Sequence, residues 1–132
     1  LKQFGLSSLE RIKSKKEFEL VFKRGEVFFS SSNRLKATFF IEINPDKIGI
    51  KVAFAVSRKS GNAVWRNRVK RLLRELYRLN TSQIKSVCWQ KGLKIFIVFS
   101  PGNLNQMNNK KIYLKDIEED VVDLLNQIRS KL

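Results

Sequence analysis

A chain of 132 residues, 42% of them hydrophobic, has the length and apolar content of one domain with one core. Its formal charge of +15, from 27 Lys and Arg against 12 Asp and Glu, favours a polyanionic partner, nucleic acid ahead of an anionic membrane surface. The absence of histidine and the single cysteine, Cys88, exclude Ser-His and Cys-His nucleophile pairs, intramolecular disulfides and zinc sites of ordinary composition.

Residues 1–13 read as irregular and basic. Ser14 then serves as an N-cap with Glu17 three residues on, predicting a helix with Phe18, Val21 and Phe22 on one face. Gly25 ends it, and Lys23 and Arg24 occupy the last turn, where cations suit the helix dipole. Residues 27–31 and 34–43 are strand candidates, the second rich in Phe and β-branched residues. Asn44-Pro45-Asp46 reads as a turn. Residues 48–57 give the clearest strand: Ile50, Val52, Phe54 and Val56 alternate with Lys51, Ala53, Ala55 and Ser57. The bulky face suits a core, and the small face leaves room for something to lie close to the sheet.

A helix follows over residues 63–79, then a connection over 80–92, open to a helical extension at its start, that holds Cys88, read as a small buried hydrophobe. Residues 93–99, LKIFIVF, form a buried type of strand, residues 100–111 a loop, and residues 113–131 a final helix. The expected fold is α+β, an α/β sandwich with one mixed four-stranded sheet packed with helices in the order α-β-β-β-α-β-α. Residues 1–132 are expected to form a single nucleic-acid-binding domain. No apolar run approaches the ~20 residues of a membrane span. The signal-peptide pattern is missing as well, so the expected location is cytoplasmic, without a membrane partner.

The most informative stretch is SRKSGNAVWRNRVKRLLR, residues 57–74. On a helical wheel Arg66, Lys70, Arg74 and Arg78 form one row, with Arg71 beside them and Arg68 near the boundary. Trp65, Val69, Leu72, Leu73 and Leu76 lie opposite, on the side that packs. Close like charges on one helix cost about 0.2–0.5 kcal/mol per i, i+4 pair, a penalty that a polyanion reverses. The acids concentrate instead on the last helix, at Asp116, Glu118, Glu119, Asp120 and Asp123, so one surface of the domain should be far more positive than another. Asp116 and Glu119 stand at i, i+3 spacing, as a metal-dependent nuclease would need. Acids on a terminal helix are more often a solvated face.

Two segments resemble the family of protein subunits of bacterial ribonuclease P. These are VSRKSGNAVWRNRVKRLLRE, residues 56–75, and RIKSKKEFELVFKRG, residues 11–25. The resemblance implies a left-handed βαβ crossover, which runs against the usual right-handed rule. It also implies a division of labour. An RNA subunit hydrolyses the phosphodiester with bound Mg²⁺, and the protein supplies no catalytic residue and no metal site of its own. The protein binds that RNA and the single-stranded 5′ leader of precursor tRNA, and no obligatory protein partner is evident.

By the same resemblance Arg58, Lys59, Asn62, Arg66, Asn67, Arg68, Lys70, Arg71 and Arg74 contact the RNA subunit. Phe18, Phe22, Phe39, Lys51, Ala53, Ala55 and Ser57 form the leader groove. Asn62 also reads as the cap of the following helix. For Phe18 and Phe22, base stacking and core packing both remain open. A ribosomal or other structured-RNA binding protein would share the basic helix and is the alternative reading.

Overall fold

The computed structural model describes residues 10–132. Residues 1–9 of the expected irregular segment lie outside the described residues. In chain order the elements are α1 (Lys15–Arg24), β1 (Glu26–Phe29), β2 (Leu35–Ile43) and β3 (Gly49–Phe54), then a 3-10 turn at Arg58–Ser60. They continue as α2 (Ala63–Asn80), α3 (Ser82–Lys91), β4 (Leu93–Pro101) and α4 (Leu114–Arg129). The strands form one mixed sheet in the order β1-β2-β4-β3. β2 runs antiparallel along β4, from Leu35 opposite Pro101 to Ile43 opposite Leu93. β3 lies parallel on the other side of β4, from Gly49 opposite Lys94 to Phe54 opposite Phe99.

The expected α+β class and four-stranded sheet are present, with differences in several elements; β1, for one, spans Glu26–Phe29 in place of residues 27–31. Residues 80–92 hold more helix than an extension at their start, because α3 spans Ser82–Lys91. Only Ile84 and Cys88 are buried along it, too thin an apolar stripe to stand out in the sequence. β3 is shorter than the predicted 48–57, although Val56 stays buried and the Ala55 N–H still reaches the Phe99 carbonyl at 2.9 Å. β4 runs two residues past the predicted 93–99, to Pro101.

The main core lies between one face of the sheet and α2, α3 and α4. Leu35, Ala37, Phe39, Val52, Ile95 and Ile97 meet Leu73, Leu76, Cys88, Val121 and Leu124 there. Each fully buried Val, Leu, Ile or Phe among them contributes about 1.5–3 kcal/mol, which makes this face the stabilising one. The opposite face carries a smaller cluster of Ile12, Val21, Phe96 and Val98, with Phe18, Leu20, Phe40 and Ala53 partly buried against it. α1 is the helix on this side.

Local chemistry fixes where α1 sits. The Ser14 hydroxyl accepts the Glu17 N–H at 3.1 Å, as expected for the cap. The Glu17 carboxylate reaches back to the Lys13 N–H at 3.4 Å, one residue earlier than in a reciprocal capping box. Gly25 closes the helix with its N–H on the Val21 carbonyl at 2.8 Å. A Cβ at this position would stand 2.5 Å from the Phe39 carbonyl oxygen, so only glycine lets the end of α1 rest on the β2 backbone. Before α1, the Ile12 N–H bonds the Val52 carbonyl at 3.1 Å and partly covers the free edge of β3.

Candidate nucleic-acid interface

The first surface is built at the start of α2. The chain leaves β3, turns through Arg58–Ser60, and enters the helix at Asn62. The Asn62 side-chain oxygen accepts the Trp65 N–H at 2.9 Å, so the capping reading of Asn62 holds. Trp65 is buried, as its place on the wheel predicts, and its indole N–H donates to the Asn109 carbonyl at 2.9 Å.

That bond is one of a set by which the loop after β4 clasps this helix. The Gln106 side-chain oxygen accepts the Asn62 N–H at 2.8 Å, and the Gln106 N–H donates to the Ser60 carbonyl at 2.7 Å. Arg68 Nε donates to the Ile112 carbonyl at 2.7 Å, and its guanidinium lies 5.6 Å from the centre of the Tyr113 ring. A side chain on Gly61 would meet the Trp65 ring at 2.7 Å and Gln106 at 2.9 Å. The cationic helix is thus fixed at its first two turns, which matters because a preorganised set of donors loses less entropy when it meets phosphate.

The expected contact residues distribute accordingly. Arg58, Lys59, Asn62, Asn67 and Arg71 are exposed, and Arg66, Arg68, Lys70 and Arg74 are half-buried along the same helix. Arg66 Nη1 donates to the Gly61 carbonyl at 3.0 Å, which aims its guanidinium back over the turn. Arg78, at the far end of the row, pairs with Glu75 at 2.6 Å. Lys70, Arg71 and Arg74 make no ion pair among the described residues.

Arg68 therefore holds the loop as well as carrying charge. Arg68→Ala is expected to remove about 1–3 kcal/mol of stability, because the Ile112 carbonyl loses its donor. It should also lower the salt slope of RNA binding by about one. Chemical denaturation beside binding at several salt concentrations separates the two effects, and an unchanged slope would leave Arg68 with the structural role alone.

The second surface is the face of the sheet beside α1. Ala53 is half-buried there, Ala55 and Ser57 are exposed, and Val27 and Phe29 are exposed on β1. The Phe18 and Phe22 rings stack with centroids 6.5 Å apart and planes 11° from parallel. Phe18 packs against the small cluster, while Phe22 is 57% exposed. The pair thus divides, with Phe18 in the packing and Phe22 offering its ring to solvent. Lys51 is ion-paired with Glu17 at 2.8 Å, tying β3 to α1. Burial works to raise the Glu17 carboxyl, but the hydrogen bonds from Lys51 and the Lys13 backbone outweigh it and hold the group below its ordinary value.

Phe39 is not on this surface. It is 1% exposed, packs in the main core, and lies 5.0 Å from Phe28 between ring centroids. Side chains alternate along a strand, so it is the next residue, Phe40, that faces α1. Phe40 lies 6.4 Å from the Phe96 ring, with the Arg24 guanidinium 6.0 Å from its centre. Lys94 lies over Phe96 at 5.1 Å. Sequence reasoning passes over Phe40, Phe96, Lys94 and Arg24. For Phe40 the sequence carries no signal, since β2 is apolar on both faces; within β4, Phe96 shares a face with the Lys94 cation two residues away, and the register then sets Phe40 beside Phe96.

Three of the five acids of α4 are taken up in structure, while Glu118 and Glu119 are exposed. Asp116 accepts the Tyr113 N–H at 2.7 Å and so caps the helix. Asp120 accepts the Ser32 hydroxyl at 2.5 Å, and Asp123 the Ser31 N–H at 2.8 Å, fastening the β1–β2 turn to α4. Among the described residues no group of three or more acids and cysteines is gathered as for a metal ion, and no helix is long and apolar enough to cross a membrane.

The family model described as Ribonuclease P matches residues 6–128. The ribonuclease P protein component of Finegoldia magna is 30% identical over 121 residues, covering 92% of this chain and 92% of that one. The same component from Clostridium novyi is 39% identical over 118 residues, covering 89% and 92%. In structure the chain is similar to the RNase P protein of Staphylococcus aureus, with a TM-score of 0.67, 23% identity and coverage of 90% and 94%. It is similar also to that of Thermotoga maritima, with a TM-score of 0.67, 24% identity and coverage of 89% and 96%.

Proposed function

The chain belongs to the ribonuclease P protein family, and from that premise we propose that it is the protein component of a ribonucleoprotein that removes the 5′ leader from precursor tRNA. In this reading the RNA subunit carries the hydrolysis with Mg²⁺, in the cytoplasm. The protein binds the RNA subunit through Arg58, Lys59, Asn62, Arg66, Asn67, Arg68, Lys70, Arg71 and Arg74. It binds the leader across Phe18, Phe22, Lys51, Ala53, Ala55 and Ser57, with Phe40 in the role first expected of Phe39.

The observation that carries the reading is that the two surfaces meet. The β3 edge of the open sheet face runs into the 57–61 turn, and the clasped cationic helix starts from that same turn. An RNA held on the helix and a single strand lying along β3 would adjoin there. Arginine offers planar paired donors to phosphate and keeps its charge at all working pH. The Phe rings accept any base, worth about 1–3 kcal/mol for each base stacked. Cations near the phosphates reduce the Mg²⁺ needed to offset RNA self-repulsion.

The test is precursor-tRNA cleavage at low Mg²⁺ with the partner RNA alone, the protein alone, and both. Cleavage at the mature 5′ end only with both supports the reading. A folded protein that binds RNA without stimulating cleavage is instead a structured-RNA binder. Cleavage by the protein alone would return the chemistry to its own side chains.

Phe22→Ala is expected to weaken precursor binding by about 1–3 kcal/mol and leave mature tRNA unaffected. Equal weakening of both substrates would assign the ring to packing.

A further inference from the structure

A pocket of about 500 Å³ opens where β3 begins against α3, outside both surfaces described so far except at Lys51 and Lys94. Its apolar lining includes Ile48 and Trp89, and Trp89 is 65% exposed, an unusual place to leave an indole. Four lysines surround it, Lys47, Lys51, Lys85 and Lys94, against one carboxylate, Glu10. Lys85 pairs with Glu10 at 3.5 Å and Lys51 with Glu17 at 2.8 Å. Lys47 and Lys94 make no ion pair among the described residues. The Cys88 thiol donates to the Leu93 carbonyl at 2.8 Å, and burial pushes its pKa up, so it offers packing and not reactivity.

An open indole ringed by surplus cations matches a flat aromatic ligand bearing negative charge. The unit that combines the two is a nucleotide: the base stacks on the indole and the phosphates take the ammonium groups. Position narrows the source. β3 runs from this pocket up to the 57–61 turn, and Lys51 lines both the pocket and the open face of the sheet.

We propose that this pocket is a distal leader site, in which a base of single-stranded RNA stacks on Trp89 while Lys47 and Lys94 hold the flanking phosphates. The proposal rests on the leader reading above, which brings the RNA onto the sheet at Ser57. From Ser57 to Gly49 is about 26 Å at the rise of a strand. At the ~3.4 Å spacing of stacked nucleotides that is about eight nucleotides, fewer if the strand is unstacked. Short leaders end before the pocket and long ones enter it.

The experiment uses the reconstituted holoenzyme, with precursor tRNAs bearing a 2-nucleotide or a 12-nucleotide leader, and mature tRNA as reference. Trp89→Ala is expected to weaken the 12-nucleotide substrate about 5- to 150-fold, the worth of one base on an aromatic, and to leave the 2-nucleotide substrate unchanged. Trp89→Phe should keep most of the affinity. Tryptophan fluorescence gives an independent readout. Trp65 is 3% exposed, so acrylamide quenching reports on Trp89, and only the long leader should protect it.

If the wild type prefers the long leader but Trp89→Ala and the quenching ignore leader length, the distal site is wrong and the leader reading survives. If the wild type does not distinguish precursor from mature tRNA, the leader reading fails and the distal site with it. A Trp89 already shielded in the holoenzyme before substrate is added would mean that another surface occupies the pocket, and would also overturn the proposal.

Discussion

Phe39→Ala is expected to remove about 3–5 kcal/mol of stability, the usual cost of emptying a buried phenylalanine site. It should leave the ratio of precursor to mature tRNA affinity unchanged. Phe39 is 1% exposed and sits among Leu35, Ala37, Ile97 and Phe99 in the core, with its carbonyl against Gly25. A domain of this size is stable by only about 5–15 kcal/mol, so the variant should unfold at a much lower urea concentration. Binding must then be corrected for the folded fraction. Phe22→Ala should behave in the opposite way, with stability nearly kept and precursor preference reduced. A Phe39→Ala protein of normal stability and no preference for the leader would put Phe39 back on the RNA-facing side of β2.

Replacing Lys70, Arg71 and Arg74 together with glutamine should make the logarithmic salt dependence of RNA binding shallower by about 2–3, roughly one for each phosphate no longer neutralised. At low salt the affinity falls by orders of magnitude, and the gap to the wild type narrows as salt rises. Stability should stay level or rise by a few tenths of a kcal/mol, because Lys70 and Arg74 form a like-charge pair at i, i+4 spacing. None of the three makes an ion pair among the described residues that the change would break. Salt-dependent binding and thermal melting of the same preparation check both halves. An unchanged slope would mean that this face of α2 does not meet phosphate.

How much of the fold is legible in the chain depends on how clearly burial and charge separate along each element. α2 splits cleanly, with Trp65, Val69, Leu73 and Leu76 buried and the cations opposite, so its role is plain in the one-dimensional pattern. β3 alternates between large and small residues, and its two faces are equally plain. β2 is harder. Its middle is covered by the core on one side and by α1 on the other, so Phe39 and Phe40 are both apolar and alternation gives no sign of which points where. A shift of one residue then puts the wrong ring on the wrong face. The clasp on α2 has no local signature. Gln106, Asn109 and Ile112 meet residues 44 positions earlier, and an Asn-rich loop reads the same whether it waves in solvent or holds a helix.

The strand order bears on how the protein comes to exist during synthesis. β2 and β3 are neighbours in the chain but not in the sheet, and β4 lies between them. A nascent chain lacking β4 can close only the β1–β2 hairpin, while β3 has no ladder to join. The clasp on α2 comes later still, since it is made from residues after β4. Parallel pairing across long sequence separations is slow to form and leaves strands open to wrong partners. While β3 waits, the cationic helix that follows it is already outside the ribosome, a particle made largely of RNA. The order of assembly therefore sets a period in which the most basic segment of this chain is exposed before the fold that directs it is complete.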